Sequence, residues 1–233
     1  MGVLSFASKV VPAGRTFVRR MTLLLRKAAH PSHHIHLNTE FHKDLNWWSE
    51  FVVGGRWNGV SILLDPEWTQ LPQTASSEEG PDHIYTDASG TGLGAVFGKH
   101  WLAGTWSRQD VDASIRDKIL SSTFVEFRAI AIALATWGHL CRGRRITIQS
   151  DSNVAVQTFQ GKSARHPALL DLIRTILFIA ASSQFALRLR HIDGKANVFA
   201  DMLSRGQVQD FQKCQSSFDR LPTPPRPLPL HTW

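Results

Sequence analysis

Four acidic residues, Asp87, Glu126, Asp151 and Asp201, stand where the chain is predicted to change direction or to be helical. Asp87 and Asp151 each stand at the end of a run typical of a β-strand, whereas Glu126 and Asp201 lie in runs typical of helices. Acids at the ends of neighbouring strands can converge on one point with acids from helices. Two carboxylates 4 Å apart repel each other by about 4 kcal/mol at an effective dielectric constant of 20. Such a cluster therefore requires a cation.

The chemistry of such a cluster is that of hard divalent ions. Magnesium prefers oxygen ligands and combines a few carboxylates with water and phosphate oxygens. Two such ions about 4 Å apart promote phosphodiester cleavage. Each acid alone also has a structural interpretation, as a helix cap at Asp151, a turn residue at Asp87 and a capping-box partner of Thr123 at Glu126.

The elements that must position these acids lie between residues 83 and 205. Strands are predicted over 83–87, 93–97, 100–107, 145–150 and 185–191, and helices over 123–139, 152–159, 167–182 and 196–204. Three antiparallel strands followed by alternating helices and strands predict an α/β fold, with a mixed five-stranded sheet and flanking helices.

The flanking segments differ from this region in texture. Residues 1–69 are predicted to be a small, mainly helical segment, with helices over 1–28 and 38–53, and the polar residues 70–82 are predicted to be a linker. Residues 206–233 contain five prolines, which predicts an extended tail.

Composition narrows the partners and the compartment. The chain carries 26 Lys and Arg against 19 Asp and Glu, and the net charge of +7 favours a polyanionic partner, with solubility as the alternative. Two cysteines exclude a disulfide framework and a four-cysteine zinc site, and they fit an intracellular, cytoplasmic or nuclear protein. No apolar run approaches the roughly 18 residues of a membrane span. The basic, acid-free residues 1–28 are also typical of a mitochondrial presequence.

Four short motifs surround the acids, and the last of them is the most diagnostic. They are Tyr85-Thr86-Asp87-Ala88-Ser89, Phe124-Val125-Glu126-Phe127-Arg128-Ala129, Ser150-Asp151-Ser152-Asn153, and the block from His191 to Arg205 that contains Asn197, Asp201 and Leu203-Ser204-Arg205. On these motifs, residues 83–205 resemble the RNase H domain of DIRS- or gypsy-type retrotransposon reverse transcriptases. Residues 1–64 look like the thumb and connection region of DIRS-type elements, through residues 4–17, Trp47-Trp48 and Trp57-Asn58-Gly59.

The resemblance implies an RNase H-like fold and an endonuclease that cleaves the RNA strand of RNA–DNA hybrids. It implies that Asp87, Glu126, Asp151 and Asp201 hold two Mg²⁺ ions, for which Mn²⁺ can substitute. It also suggests that His191 assists product release or proton transfer, where a histidine at a strand end is otherwise structural. The basic start is then accounted for by thumb helices that touch nucleic acid, and mitochondrial import becomes the less favoured alternative.

The sequence departs from this family in two respects. Asp193 stands where the family usually has proline, so an extra acid lies beside the expected centre. The paired aspartates of a polymerase palm are missing, so no polymerase activity is expected, and a palm domain would be supplied by another chain or has been lost. The alternative function is a catalytically silent nucleic-acid-binding remnant of such an element.

Other residue groups carry weaker signals. The histidines between His30 and His42 match no common zinc spacing. Trp48 is predicted to lie in the core, while Trp47 and Trp57 could stack on bases instead. Arg142, Arg144 and Arg145 could meet phosphates or simply protect an edge strand. The glycines at positions 90, 92 and 94 lack the strand–helix context of a dinucleotide site.

Overall fold

A computed structural model of the protein describes residues 2–52, 82–107 and 121–229, apart from positions 12, 29, 31, 162, 163, 165, 215 and 216. The strands of this part are β1 (His83–Ala88), β2 (Gly92–Phe97), β3 (His100–Thr105), β4 (Arg145–Ser150) and β5 (Ala186–His191). Its α-helices are α1 (Gly2–Val10), α2 (Gly14–Leu25), α3 (Thr39–Val52), α4 (Ser121–Trp137), α5 (Asn153–Gln160), α6 (Pro167–Ser182), α7 (Val198–Ser204) and α8 (Val208–Cys214). The predicted Trp57-Asn58-Gly59 likeness and residues 70–81 of the predicted linker lie outside the described residues.

The strands form one mixed sheet in the order β3-β2-β1-β4-β5. The pairs β1–β2 and β2–β3 are antiparallel, whereas β1–β4 and β4–β5 are parallel. The predicted mixed five-stranded sheet with flanking helices is therefore confirmed. Because β1 and β4 are parallel neighbours, their carboxyl ends meet at one edge of the sheet. Asp87 is the penultimate residue of β1, and Asp151 directly follows β4.

The capping-box interpretation of Glu126 and the helix-cap interpretation of Asp151 are wrong. Helix α4 begins at Ser121 rather than after Thr123, so Glu126 lies in its second turn and belongs to no capping box there. Asp151 does not cap α5, because Ser152 is the N-cap and its hydroxyl accepts a hydrogen bond from the Ala155 amide at 3.3 Å. Both carboxylates are thus available for other contacts.

The N-terminal helices pack on the same core as the sheet. Phe17 of α2 stacks on Trp47 of α3 with ring centroids 3.9 Å apart, and both side chains are fully buried. Trp48 is buried, as predicted, and Trp47, for which the sequence leaves both the core and base stacking open, also lies in the core. Burial of these large rings joins the N-terminal segment to the rest of the protein by the hydrophobic effect.

The prediction of an extended tail over residues 206–233 is wrong at Val208–Cys214. Helix α8 forms there, and its fully buried Phe211 packs against Trp101 of β3. Beyond it, the amides of Asp219 and Thr223 donate to the Lys99 and Trp101 carbonyls at 2.9 and 2.7 Å. The tail therefore covers the edge of the sheet at β3.

Among the helices of the described residues, none combines the length and the apolar character that a membrane span needs.

Candidate metal centre

Three carboxylates converge at the carboxyl edge of the sheet. One ligand atom from each of Asp87, Glu126 and Asp151 lies within 4.8 Å of the other two, and this is the one such group of acids, histidines or cysteines among the described residues. Asp87 and Glu126 are buried, whereas Asp151 is half-buried. The histidines between His30 and His42 form no comparable group in the described part.

Strand register places Asp87 beside Asp151. Tyr85 of β1 pairs with Gln149 of β4 in the parallel ladder. Asp87 comes two positions after Tyr85, and Asp151 comes two positions after Gln149. The turn that leaves β1 is held by Ser89, whose hydroxyl accepts a hydrogen bond from the Gly92 amide at 3.1 Å. Asp87 is therefore not needed to hold this turn, and its carboxylate faces the neighbouring acids.

Glu126 carries the strongest electrostatic signature of a cation site. Burial, followed by the charges of Asp87 and Asp151, raises its pKa to about 8. Its Oε2 atom is buried and has no hydrogen-bond partner among the residues that the structure describes. A buried polar atom without a partner is costly, and an ionised carboxylate beside two others is more so. The donor set is all oxygen, so the residues present fit a hard divalent cation.

Asp87 is held by a residue for which sequence reasoning gave no role. The Ser204 hydroxyl donates a hydrogen bond to its Oδ2, and both side chains are buried. Burial raises the pKa of Asp87 from its ordinary value, as do the charges of Asp151 and Asp201, whereas the Ser204 hydrogen bond acts in the opposite direction. The available signal was the Leu203-Ser204-Arg205 end of the diagnostic block.

Helix α7 reaches the site because glycine lets it approach the sheet. A Cβ atom on Gly94 of β2 would lie 2.3 Å from the Ala200 carbonyl oxygen and 2.6 Å from the Ser204 nitrogen, so only glycine fits there. At the start of α7, the buried Asn197 donates from Nδ2 to the Thr86 carbonyl at 2.9 Å. The helix is thereby fixed at both ends against β1 and β2.

The fourth predicted acid lies outside the group of three. Asp201 is half-buried, and its Oδ1 accepts a hydrogen bond from Arg205 Nε at 2.7 Å. Its charge nevertheless contributes to the raised pKa of Asp87. The structure therefore brings three predicted ligands together and leaves Asp201 within electrostatic reach of Asp87.

His191 and Asp193 occupy the loop that runs beside Asp151. The exposed His191 ring lies with Nε2 3.1 Å from the Asp151 carbonyl oxygen. Asp193 is the N-cap of the short 3₁₀ turn Gly194–Ala196, and its Oδ1 accepts a hydrogen bond from the Lys195 amide at 3.0 Å. The extra acid thus serves as a cap and does not belong to the carboxylate group.

Comparison with known proteins finds partial matches. Residues 92–206 match a family described as reverse transcriptase-like. No curated protein matches. Among solved structures, an RNase H1 isolated from compost by a metagenomic approach is 22% identical with a TM-score of 0.42, covering 55% of this chain and 95% of its own. The N-terminal RNase H domain of a Mycobacterium tuberculosis protein is 19% identical with a TM-score of 0.37, covering 53% and 97%. An RNase H1 from the archaeon Halobacterium salinarum is 18% identical with a TM-score of 0.40, covering 55% and 97%.

Proposed function

We propose that the protein is an RNase H-type endonuclease that hydrolyses the RNA strand of RNA–DNA hybrids with two divalent ions, as part of a retrotransposon reverse transcriptase. The observation that carries the proposal is the convergence of Asp87, Glu126 and Asp151 around a buried, unpartnered carboxylate oxygen. The match of residues 92–206 to a reverse transcriptase-like family supports the same assignment.

The four acids have distinct roles in this proposal. Asp87 would contribute to holding both ions, and Glu126, Asp151 and Asp201 would complete the ligand set. Bound Mg²⁺, or Mn²⁺ in its place, supplies activation of a water molecule and stabilisation of the leaving oxygen. Glu126 has to lose its proton before it can act as a ligand, because its pKa is about 8 in the metal-free protein.

His191 serves the step after bond cleavage in this proposal. Its exposed ring lies beside Asp151 at the rim of the site, where a product phosphate would leave. An imidazole can act as a general acid, so the ring can donate a proton to the leaving oxygen or weaken the hold on the product phosphate. Selection of the RNA strand rests on its 2′-hydroxyls, which line a wide, shallow minor groove.

The domain boundaries belong to the same proposal. Residues 83–205 form the catalytic unit, and residues 1–69 form a thumb- and connection-like unit that contacts the duplex. The chain is not expected to polymerise DNA.

The test is incubation of the purified protein with an RNA–DNA hybrid labelled on the RNA strand. We expect cleavage that needs Mg²⁺ or Mn²⁺, and we expect Asp87→Asn to abolish it without loss of the folded state. Asp210→Asn is the matched control, because Asp210 is an exposed acid and Lys213 is its ion-pair partner. Binding without cleavage by the unchanged protein would favour the catalytically silent remnant and overturn the proposal.

A further inference from the structure

The contact between Ser204 and Asp87 links two segments that are far apart in the chain. Ser204 is the last residue of α7, only 1% of its surface is exposed, and it lies 117 positions after Asp87. No other hydrogen bond to the Asp87 carboxylate is found among the described residues. The serine hydroxyl is thus the group that fixes the orientation of this carboxylate.

The hydroxyl itself is held in one place by its surroundings. Its Oγ also lies 2.9 Å from the Asp201 carbonyl oxygen, one turn earlier in α7. A hydroxyl has one proton, and an ionised carboxylate is a stronger acceptor than a backbone carbonyl. The proton is therefore directed to Asp87, while the carbonyl limits where the oxygen can lie.

The backbone of Ser204 is anchored to the loop that follows Asp87. Its carbonyl oxygen accepts a hydrogen bond from the Ser89 hydroxyl at 2.6 Å. Gly94 lets the Ser204 amide lie directly over β2, because any Cβ there would come within 2.6 Å of that nitrogen. Serine and aspartate are therefore held at a fixed separation by contacts on both sides.

We propose that Ser204 is a positioning residue for the metal centre, which holds the Asp87 carboxylate in the orientation that binds a divalent ion. This inference rests on the proposed function. The Ser204 hydrogen bond occupies one lone pair of Oδ2, so the second Asp87 oxygen and the remaining lone pairs stay available. Loss of such an outer hydrogen bond typically weakens metal affinity by roughly 10- to 100-fold.

The test measures metal affinity directly, without nucleic acid. Mn²⁺ is titrated into the purified protein, and bound ion is followed by calorimetry and by its electron paramagnetic resonance signal. We expect Ser204→Ala to raise the Kd for Mn²⁺ by about 10-fold or more, and Ser204→Thr to restore it because threonine keeps the hydroxyl. Ser182→Ala is the matched control: Ser182 also ends a helix and donates to the carbonyl three residues earlier, at 3.2 Å, and this hydroxyl has no carboxylate partner among the described residues.

A second measurement separates positioning from a general structural role. In the Asp87→Asn background, Ser204→Ala should cause no further loss of Mn²⁺ affinity, because the serine acts through that carboxylate. Should the alanine variant fail to fold, Ser204→Cys replaces it in the test. Cysteine has a similar size and a weak donor, so we expect its Mn²⁺ affinity to lie between those of the serine and alanine proteins.

The outcomes distinguish this inference from the function on which it rests. Wild-type affinity in Ser204→Ala, or an equal loss in the Asp87→Asn background, would overturn the positioning role. A protein that binds Mn²⁺ but leaves the hybrid intact would overturn the endonuclease assignment and keep the positioning role. A protein that binds no Mn²⁺ would overturn both.

Discussion

Arg174 of α6 donates a hydrogen bond from Nη2 to Asp44 Oδ2 of α3 at 3.0 Å, and both side chains are almost fully buried. The same Nη2 atom donates to the Thr16 carbonyl of α2 at 3.0 Å. Arg20 adds a second cation 4.0 Å from the other Asp44 oxygen. One buried ion pair thus joins α2 and α3 to a helix that packs on the sheet.

The first prediction follows from the asymmetry of this pair. An arginine keeps its charge, whereas burial already raises the pKa of Asp44 to about 7, so the aspartate can be neutralised and the arginine cannot. Asp44→Asn should therefore lower the free energy of unfolding by about 3–5 kcal/mol, and Arg174→Met by less. Urea denaturation measures both values.

The control for this prediction is an exposed pair. Lys213→Ala removes the ion pair with Asp210 on the surface and should change stability by about 1 kcal/mol or less. A change of similar size for Asp44→Asn would contradict the view that the buried pair holds the N-terminal helices in place.

The titration of Glu126 should make the free energy of unfolding of the metal-free protein depend on pH. Its pKa is about 8 in the folded state and 4.5 as the ordinary value, so the folded state binds its proton more tightly. The resulting stabilisation is complete below pH 4.5 and is lost as the pH rises towards 8, with a slope of at most about 1.4 kcal/mol per pH unit. Unfolding in EDTA across this range should show the decline, and Glu126→Gln should reduce it.

Magnesium should reverse this trend, which provides the internal check. Metal binding requires the ionised carboxylate, so stabilisation by Mg²⁺ should increase as the pH rises through 8. A Glu126→Gln protein with the same pH profile as the unchanged protein would show that the buried glutamate does not control the titration.

Local patterns predicted much of the fold because each strand and helix carries its own periodicity. Asp87 and Asp151 could be found since one lies at the end of a strand and the other directly follows a strand, and parallel pairing of those strands brings the acids together. The contacts of Ser204 with Asp87 and of Arg174 with Asp44 span more than 100 positions, and such contacts leave no periodic signal. In the tail, prolines obscured a short helix with one buried ring, Phe211.

Phe211 predicts that the tail contributes to stability. The ring is fully buried among Trp101, Phe199 and Phe218, so alanine would leave a large cavity. Phe211→Ala should cost about 3–5 kcal/mol of unfolding free energy. Leu221→Ala is the control in the same tail, because 78% of Leu221 is exposed. Equal stability of the two variants would show that the tail is not part of the folded unit.

Loss of the His191 side chain should cause a kinetic defect that differs from the defect caused by loss of a metal ligand. His191→Ala should retain metal-dependent cleavage but reduce turnover, by up to the roughly 10²–10⁴-fold that general acid–base assistance provides. If the histidine helps product release, the defect will be larger in steady-state turnover than in a single turnover. Wild-type rates in both assays would leave the ring with only its structural contact to the Asp151 carbonyl.

Helix α2 and its C-cap residue present an exposed row of basic side chains, which are Arg15, Arg19 and Arg26. Among the described residues, none of them has an ion-pair partner, whereas Arg20 on the same helix pairs with Glu40 and with Asp171. Thr16 of α2 contacts Arg174 of α6, and Arg20, one turn later in α2, contacts Asp171, which is nearer to the start of α6. The row is therefore a candidate contact surface for a nucleic-acid backbone.

The last prediction concerns how this row affects binding of a hybrid. In the Asp87→Asn background, which prevents cleavage, replacement of all three arginines by glutamine should weaken the salt dependence of hybrid binding. The log–log slope should fall by about 0.9 for each arginine that meets a phosphate, because fewer neutralised phosphates release fewer counterions. A Lys99→Gln and Lys213→Gln double variant, altered at exposed lysines away from α2, should keep the original slope. An unchanged slope in the arginine variant would show that α2 does not contact the duplex.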